Sequence, residues 1–317
     1  MGGGENLCYY KFHVDMSVLD SIGKTPLVSV DNLNPNKGVK LLVKLEGANP
    51  GGSVKDRIAL FMIEDAERRG ALRRGRTILE ATSGNTGIGL AMVGAAKGYK
   101  VRLVMPACVS MERRRTLEAL GAELVISPPE EGTDGAIRLA RKIVDESPGT
   151  FFMPDQFNNQ ANIQAHFETT GREIWEQTKG AVTHFVAGMG TTGTVMGAGR
   201  RLKEHRPAIK VVGVEPPLGH RIQGLKNMTE SIVPGIYDPG ALDEKITVGD
   251  DDAFSASRLL ALEEGLFVGM SSGAAFFAAM KIAERIDKGV IVVILPDRGD
   301  RYRSTSLFAS VCAKCPP

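Results

Sequence analysis

Glu46-Gly-Ala-Asn-Pro-Gly-Gly-Ser-Val-Lys55-Asp-Arg57 follows an apolar run, Val39–Leu45, that reads as a short strand. It leads into an amphipathic run over residues 56–69 with Ile58, Leu60, Phe61, Ile63 and Ala66 at the apolar positions of a helix. Between them, Asn49-Pro50-Gly51-Gly52-Ser53 is turn chemistry, so Lys55 arrives at the mouth of a helix. The positive end of a helix dipole disfavours a cation there by about 0.3–1 kcal/mol. One reading is a solvated lysine compensated by Asp56. The other is an amine held neutral, or consumed in an imine.

Outward from this stretch the pattern is strand then helix, repeatedly. Residues 22–28 resemble the entry to a strand after a turn. Further strands are expected at Thr77–Ala81, 100–105, Glu123–Ser127, 151–153, 181–187, 209–215 and 290–295. Helices are expected at 87–97, 111–120 (capped by Ser110), 134–145, 161–177, 193–204, 251–264 and 274–286. Near-continuous apolar strands alternating with helices predict an α/β fold with parallel sheets covered on both faces. The rhythm restarts near residues 148–160, which predicts two such sheets. Residues 216–243 carry Gly, Pro and polar side chains without periodicity, as a lid or binding element does.

The composition narrows the class. At 317 residues, 43% hydrophobic and 24% charged, the chain suits a soluble protein of two domains, each with its own core. Lys+Arg 39 against Asp+Glu 37 gives +2, too balanced for a nucleic-acid or membrane-surface protein. The longest apolar run, at 290–295, falls far short of the ~20 residues of a membrane span, and no signal peptide or myristoylation pattern opens the chain. Cys8, Cys108, Cys312 and Cys315 form no disulfide framework, and the Cys312-Ala-Lys-Cys315 pair lacks the further ligands of a metal site. No metal is expected, and a reducing cytoplasm is. Residues 1–14 read as a loose arm.

In parallel sheets, ligands bind beyond the carboxyl ends of strands, where loops enter helices. Besides the Lys55 loop, two loops are marked. Thr82-Ser-Gly-Asn-Thr-Gly-Ile-Gly89 presents backbone N–H groups and short donors suited to an anion, where a plain helix cap needs a single Ser or Thr. Gly188-Met-Gly-Thr-Thr-Gly-Thr194 fits the dinucleotide-binding glycine pattern, and the next strand ends in Glu215, where such folds place a ribose-binding acid. An NAD-dependent dehydrogenase is therefore a competing reading of that loop. Against it, Thr191, Thr192 and Thr194 suit a terminal phosphate, and no motif surrounds His13, His166, His184, His205 or His220. Gly265–Ala275 adds a capped helix start at Ser271 and Ser272. A reactive lysine, a phosphate cradle and a separate carboxylate cradle are together what pyridoxal 5′-phosphate and an amino acid require.

These residues resemble the cysteine synthase family of pyridoxal-phosphate enzymes, in the tryptophan-synthase-β-like fold, over residues 17–308. Met189-Gly-Thr-Thr-Gly-Thr194 and Asp297-Arg-Gly-Asp-Arg-Tyr302 are most similar to the B-type, O-acetylserine sulfhydrylase B; the A-type usually has G-T-G-G-T and ends P-S-S-G-E-R-Y. The resemblance implies two domains, each with a mostly parallel twisted sheet flanked by helices. Residues 48–160 would form a smaller mobile domain, and 17–47 with 161–317 a larger one, after an arm at 1–16. It implies that Lys55 forms the internal aldimine and Asn85 hydrogen-bonds the ring's 3′-oxygen. Thr82, Ser83, Thr86 and Gln156 would hold the substrate carboxylate; Gly190, Thr191, Thr192, Gly193 and Thr194 the phosphate; Ser271 the pyridine nitrogen.

The activity so implied is β-replacement: O-acetyl-L-serine loses acetate, an aminoacrylate forms, and sulfide adds to give L-cysteine, in a cytoplasmic homodimer. The charges of Asp297-Arg-Gly-Asp300 admit thiosulfate as donor, and His220, Arg221 and Lys226 admit O-phosphoserine as substrate. A cystathionine synthase or a serine/threonine dehydratase is a further alternative, against which stands the expectation of no regulatory domain beyond the core.

Overall fold

The computed structural model describes residues 16–308, except 108, 110, 230 and 231. The expected N-terminal arm (apart from Met16), the Ser110 cap and all four cysteines lie outside the described residues. Two sheets form the frame. The larger contains β1 (Leu27–Ser29), β2 (Val39–Leu45), β7 (His184–Gly188), β8 (Lys210–Glu215), β9 (Glu244–Thr247) and β10 (Gly289–Leu295), in the order β1-β2-β10-β7-β8-β9. Only the β1–β2 pair is antiparallel. The smaller sheet, all parallel, contains β3 (Thr77–Ala81), β4 (Val101–Pro106), β5 (Glu123–Ser127) and β6 (Phe151–Phe152), in the order β5-β4-β3-β6.

The central strand β10 reads Val-Ile-Val-Val-Ile-Leu from Val290, and its last five residues are buried. A strand covered on both faces needs such a continuous apolar run. On one face α8 (Asp250–Glu264) and α9 (Met270–Arg285) pack Phe254, Phe276 and Ile282 against Val43, Val212 and Val293. On the other, α7 (Gly193–His205) covers Phe185, Val211 and Val292 with Val195 and Leu202. The smaller sheet is covered by α1 (Lys55–Arg68), α2 (Asn85–Lys97), α3 (Met111–Ala119) and α4 (Gly132–Glu146).

Two features depart from the simple alternation. The helix expected over 161–177 is α5 (Gln160–Ala165), a π-helical turn (His166–Gly171) and α6 (Arg172–Gln177). A π turn inside a helix commonly accompanies a functional site. Among its described residues the aperiodic segment 216–243 holds only a 3-10 turn, Pro239–Ala241, and it runs into β9, a strand absent from the expectations.

Strand register positions the Lys55 loop. Leu295 of β10 lies opposite Leu45 of β2, so the chain beyond each strand emerges side by side. The Val54 N–H then donates to Pro296 O at 2.8 Å. Below this point lies a buried ionic cluster. Arg57 donates from Nε to Glu46 Oε2 at 2.7 Å and from Nη1 to Glu173 Oε1 at 2.6 Å, while Lys44 Nζ reaches Glu173 Oε2 at 2.7 Å. Thr25 Oγ1 and Asn49 Nδ2 donate to the remaining Glu46 lone pairs.

Burial alone would raise the Glu173 carboxyl; the hydrogen bond and charge of Arg57, with those of Lys44, hold it down at about 2. Its stabilisation is complete above the ordinary carboxylate value of 4.5 and is lost as pH falls toward 2. Glu173→Gln is expected to cost about 3–5 kcal/mol, because Arg57 and Lys44 keep their buried charges with one acceptor fewer. Urea unfolding at about pH 5 and about pH 3 should show a shallower loss of stability in the variant than in the wild type. Parallel pH slopes would exclude the cluster as the source.

Candidate active site

The site is assembled from loops that leave the carboxyl ends of β2, β3 and β7, together with the chain beyond β10 and the start of α9. Lys55 is the first residue of α1, whose entry has no side-chain cap on Val54; Ser53 Oγ accepts the Lys55 N–H at 3.2 Å. Gly89 brings α2 against α1, since a Cβ there would stand 3.0 Å from Ala59 Cβ and 3.1 Å from Lys55 O. Close approach of these two helices sets the lysine beside the start of α2, where Asn85 is the first residue.

Asp297 ties these pieces together. Its Oδ2 accepts from Asn85 Nδ2 at 2.7 Å and from Tyr302 Oη at 2.5 Å. Its backbone bridges Ser53 in the Lys55 loop, and its O accepts the Gly269 N–H at the entrance of α9. Arg301 donates to Asn85 Oδ1 and to Gly51 O, so both ends of the Asn85 carboxamide are engaged. From its sequence Asp297 reads as added charge near the sulfur donor; its place at the junction of three loops depends on the β2–β10 register.

The expected carboxylate loop lies across from Gln156. Thr86 Oγ1 donates to Gln156 Oε1 at 2.6 Å, which commits the Thr86 hydroxyl and leaves the Gln156 Nε2 group as a donor. Toward an anion, Thr86 therefore offers its backbone N–H at the helix start, where α2 has no side-chain cap. Thr82 Oγ1 accepts the Gly84 N–H, and Ser83 stands between them on the same loop.

The expected phosphate loop, Gly190 to Thr194, lies at the N-terminus of the 13-residue α7. Thr192 takes a left-handed φ of 70° as its cap. A Cβ on Gly190 would stand 2.5 Å from Gly224 O, and one on Gly193 would collide with Asn162 Oδ1 at 1.9 Å. Asn162 Nδ2 donates to Gln156 O and to Thr191 Oγ1, joining the carboxylate side to this loop. The Lys226 N–H donates to Met189 O. Ser271, second in α9, faces the Gly224 backbone, with its Oγ 3.6 Å from where a Cβ on Gly224 would stand.

Sequence reasoning missed His166, which reads as a packing residue on a helix. The π turn presents its Nε2 to Thr194 Oγ1 at 3.2 Å and its Nδ1 to Thr170 Oγ1 at 2.9 Å. Burial, reinforced by Lys55 and Arg57, pushes His166 well below its ordinary value and keeps it neutral. Other residues prove less available. Glu215 pairs with Lys245 at 2.7 Å and accepts the Met228 N–H at 3.0 Å, which removes it as a ribose-binding acid. Arg221 pairs with Asp250 at 2.9 Å.

Lys55 is half-buried, and desolvation lowers its amine to about 8 despite the opposing charges of Asp297 and Glu46. Burial also raises the Asp297 carboxyl and pushes Asp56, which accepts the Gly51 N–H, up to about 7. The residues fit pyridoxal 5′-phosphate. A buried Thr192 hydroxyl without a protein partner sits at a helix N-terminus, two glycines keep that loop clear of side chains, and a lysine with a lowered pKa lies beside Asn85. A cavity of about 780 Å³ lies elsewhere, between α1 and residues 152–168, and carries mixed charge rather than this constellation.

A family model described as pyridoxal-phosphate dependent enzyme matches residues 18–297. The chain is 50% identical over 301 residues to a cysteine synthase of Aquifex aeolicus (strain VF5), covering 92% of each. It is 46% identical over 294 residues to cysteine synthase B of Escherichia coli (strain K12), covering 92% of this chain and 96% of the relative. A solved cysteine synthase (OASS) from Entamoeba histolytica superposes with a TM-score of 0.88 at 38% identity, over 97% of this chain and 93% of that one.

Only a neutral amine condenses with an aldehyde, so the reaction of Lys55 should follow its lowered pKa. With protein freed of any bound aldehyde, borohydride trapping of formaldehyde on Lys55, read by mass spectrometry, is expected to reach half its maximal rate near pH 8. A midpoint near the ordinary lysine value of 10.5 would show that burial does not act on this amine.

Proposed function

The chain belongs to the pyridoxal-phosphate-dependent enzymes and, within them, to the cysteine synthases, and we propose that it makes L-cysteine from O-acetyl-L-serine and sulfide with release of acetate. The observation that carries this reading is the meeting of Lys55, the Thr82–Thr86 loop and the Gly190–Thr194 loop at helix starts joined through Asn85, Gln156 and Asn162.

When bound, pyridoxal 5′-phosphate supplies an aldehyde for Lys55 and a ring that draws electrons from the substrate's Cα. The Thr191, Thr192 and Thr194 hydroxyls and the N–H groups at the start of α7 would hold its phosphate, with His166 behind Thr194. The Ser271 hydroxyl at the start of α9 would be the partner of the ring nitrogen, and a hydroxyl, unlike a carboxylate, would not enforce its protonation, which would favour elimination and addition at Cβ over transamination. Backbone donors of residues 82–86 and the Gln156 Nε2 group orient the substrate carboxylate. Lys55, after substrate has bound, takes the Cα proton on Nζ, and a pKa of about 8 suits a base working near neutrality.

The sulfur donor and the leaving group belong to the finer reading. Arg298, Asp300 and Arg301 add charge around the site and would admit a donor larger than sulfide, thiosulfate giving S-sulfocysteine. Lys226, whose N–H donates to Met189 O beside the Gly190–Thr194 loop, is the residue of the 216–243 segment that suits an anionic leaving group such as the phosphate of O-phosphoserine. Residues 48–160 make the smaller, mobile domain of this reading, supported by β3 to β6 forming one sheet. The family's usual assembly supports a homodimer. Balanced charge, scattered cysteines and the lack of any described helix able to cross a membrane support a cytoplasmic place.

Purified protein should be yellow and should turn over O-acetylserine with sulfide, while Lys55→Ala should lose both the normal absorption band and turnover. A colourless protein that binds a dinucleotide would overturn this function. O-phosphoserine compared with O-acetylserine on wild type and Lys226→Ala decides the leaving group. Phosphoserine turnover selectively lost in Lys226→Ala supports the basic segment, and no phosphoserine turnover in the wild type excludes it.

A further inference from the structure

Glu80 is a carboxyl group in an apolar strand, 3% exposed, and no step above uses it. It lies two residues before Thr82, on β3, and faces the loop that follows β6. Its Oε2 accepts the Asp155 N–H at 2.8 Å. Asp155 has a left-handed φ of 52°, a region that glycine favours and that asparagine and aspartate enter more readily than other residues. The next residue is Gln156, whose side chain is held by Thr86 at 2.6 Å and whose carbonyl is held by Asn162 at 2.8 Å. The left-handed turn thus aims the Gln156 carboxamide, and Glu80 is the group that accepts the Asp155 N–H within it.

We propose that Glu80 is a positioning residue for the amino-acid substrate: by accepting the backbone N–H of Asp155 it holds the left-handed turn that sets Gln156 against Thr86. The inference rests on the proposed function, since Gln156 and the Thr86 loop matter in this way only if they hold a substrate carboxylate. The groups facing Glu80 are the Asp155 carboxylate, itself bonded to Asn158 Nδ2, and, across the same small cavity, Arg141 of α4 and the apolar Ile137, Phe157 and Ile232. Burial and then the Asp155 carboxylate push Glu80 up to about 8, so near neutrality it stands mostly protonated and glutamine is its close mimic. Glutamine keeps a carbonyl acceptor for the turn; leucine fills the volume and offers none.

The test uses the holoenzyme. Titration with L-cysteine, followed by the cofactor's absorption band, gives the amino-acid dissociation constant. Glu80→Leu is expected to raise it about tenfold, the effect of one positioning hydrogen bond lost. The KM for O-acetylserine should rise in parallel, while the KM for sulfide and the apoprotein's affinity for pyridoxal 5′-phosphate stay within about twofold. Glu80→Gln should restore amino-acid binding to within about threefold of the wild type. Unchanged L-cysteine binding in a yellow Glu80→Leu protein overturns the inference and leaves the proposed function standing. Equal losses of cofactor and amino-acid affinity, or no rescue by glutamine, also overturn it, because they indicate general damage to the smaller sheet. A wild-type protein without the absorption band overturns the function and this inference with it.

Discussion

The buried Arg57 guanidinium is the constraint around which the rest of the structure is arranged. Arg57 is 1% exposed and is held by carboxylates from two distant parts of the chain, Glu46 just after β2 and Glu173 in α6. An unpaired charge at this depth would cost several kcal/mol, so both carboxylates have to be in place whenever α1 is docked. Lys44 completes the balance, with two cations and two anions sharing one dry volume. Such a network is stable only when every member is satisfied, and Thr25, Asn49 and Gln177 fill the remaining positions. Because Arg57 lies two residues beyond Lys55, fixing the guanidinium also fixes where α1 begins and where the lysine stands.

From that anchored helix start the site follows by register and close packing. The parallel β2–β10 pairing delivers Asp297 beside the Lys55 loop, and Gly89 lets α2 approach α1 closely enough to bring Asn85 to the same place. The electrostatics then work in one direction. Desolvation lowers the lysine and raises Asp297, so both groups move toward neutrality, while His166 is kept uncharged behind Thr194. Anionic partners are left to helix N-termini and hydroxyls, which attract them without a full buried cation. A lysine free of competing carboxylate pairs is what a base and imine former requires.

Much of this was legible in order along the chain. Thr77–Ala81 and Glu123–Ser127 have the same bounds in the expectation and in the structure, and most helices differ by a residue or two at their ends. Apolar runs and turn residues are local signals, and they survive folding unchanged. Strand β9 was not legible, because its four residues alternate between half-buried and exposed and carry two charges, so they look like loop. The π turn was invisible because Ala161 to Gln177 has an ordinary helical pattern; only the register of α7 against it turns His166 toward Thr194. Arg221 looked like an anion receptor from its charge alone, yet Asp250, 29 residues on, engages it.

By itself, then, the sequence determined the alternation of strands and helices, the two anion-seeking loops at helix starts, and the lysine loop that stands with them. Each of these is encoded within a few residues, through side-chain period and turn chemistry. The tertiary structure alone decided which groups meet: Asn85 with Asp297 across 212 residues, Arg57 with Glu173 across 116, and Gln156 with Thr86 across 70. Those pairings depend on strand order and register, which no local pattern specifies. They also set the burial that moves Lys55 from an ordinary amine to one that titrates near 8.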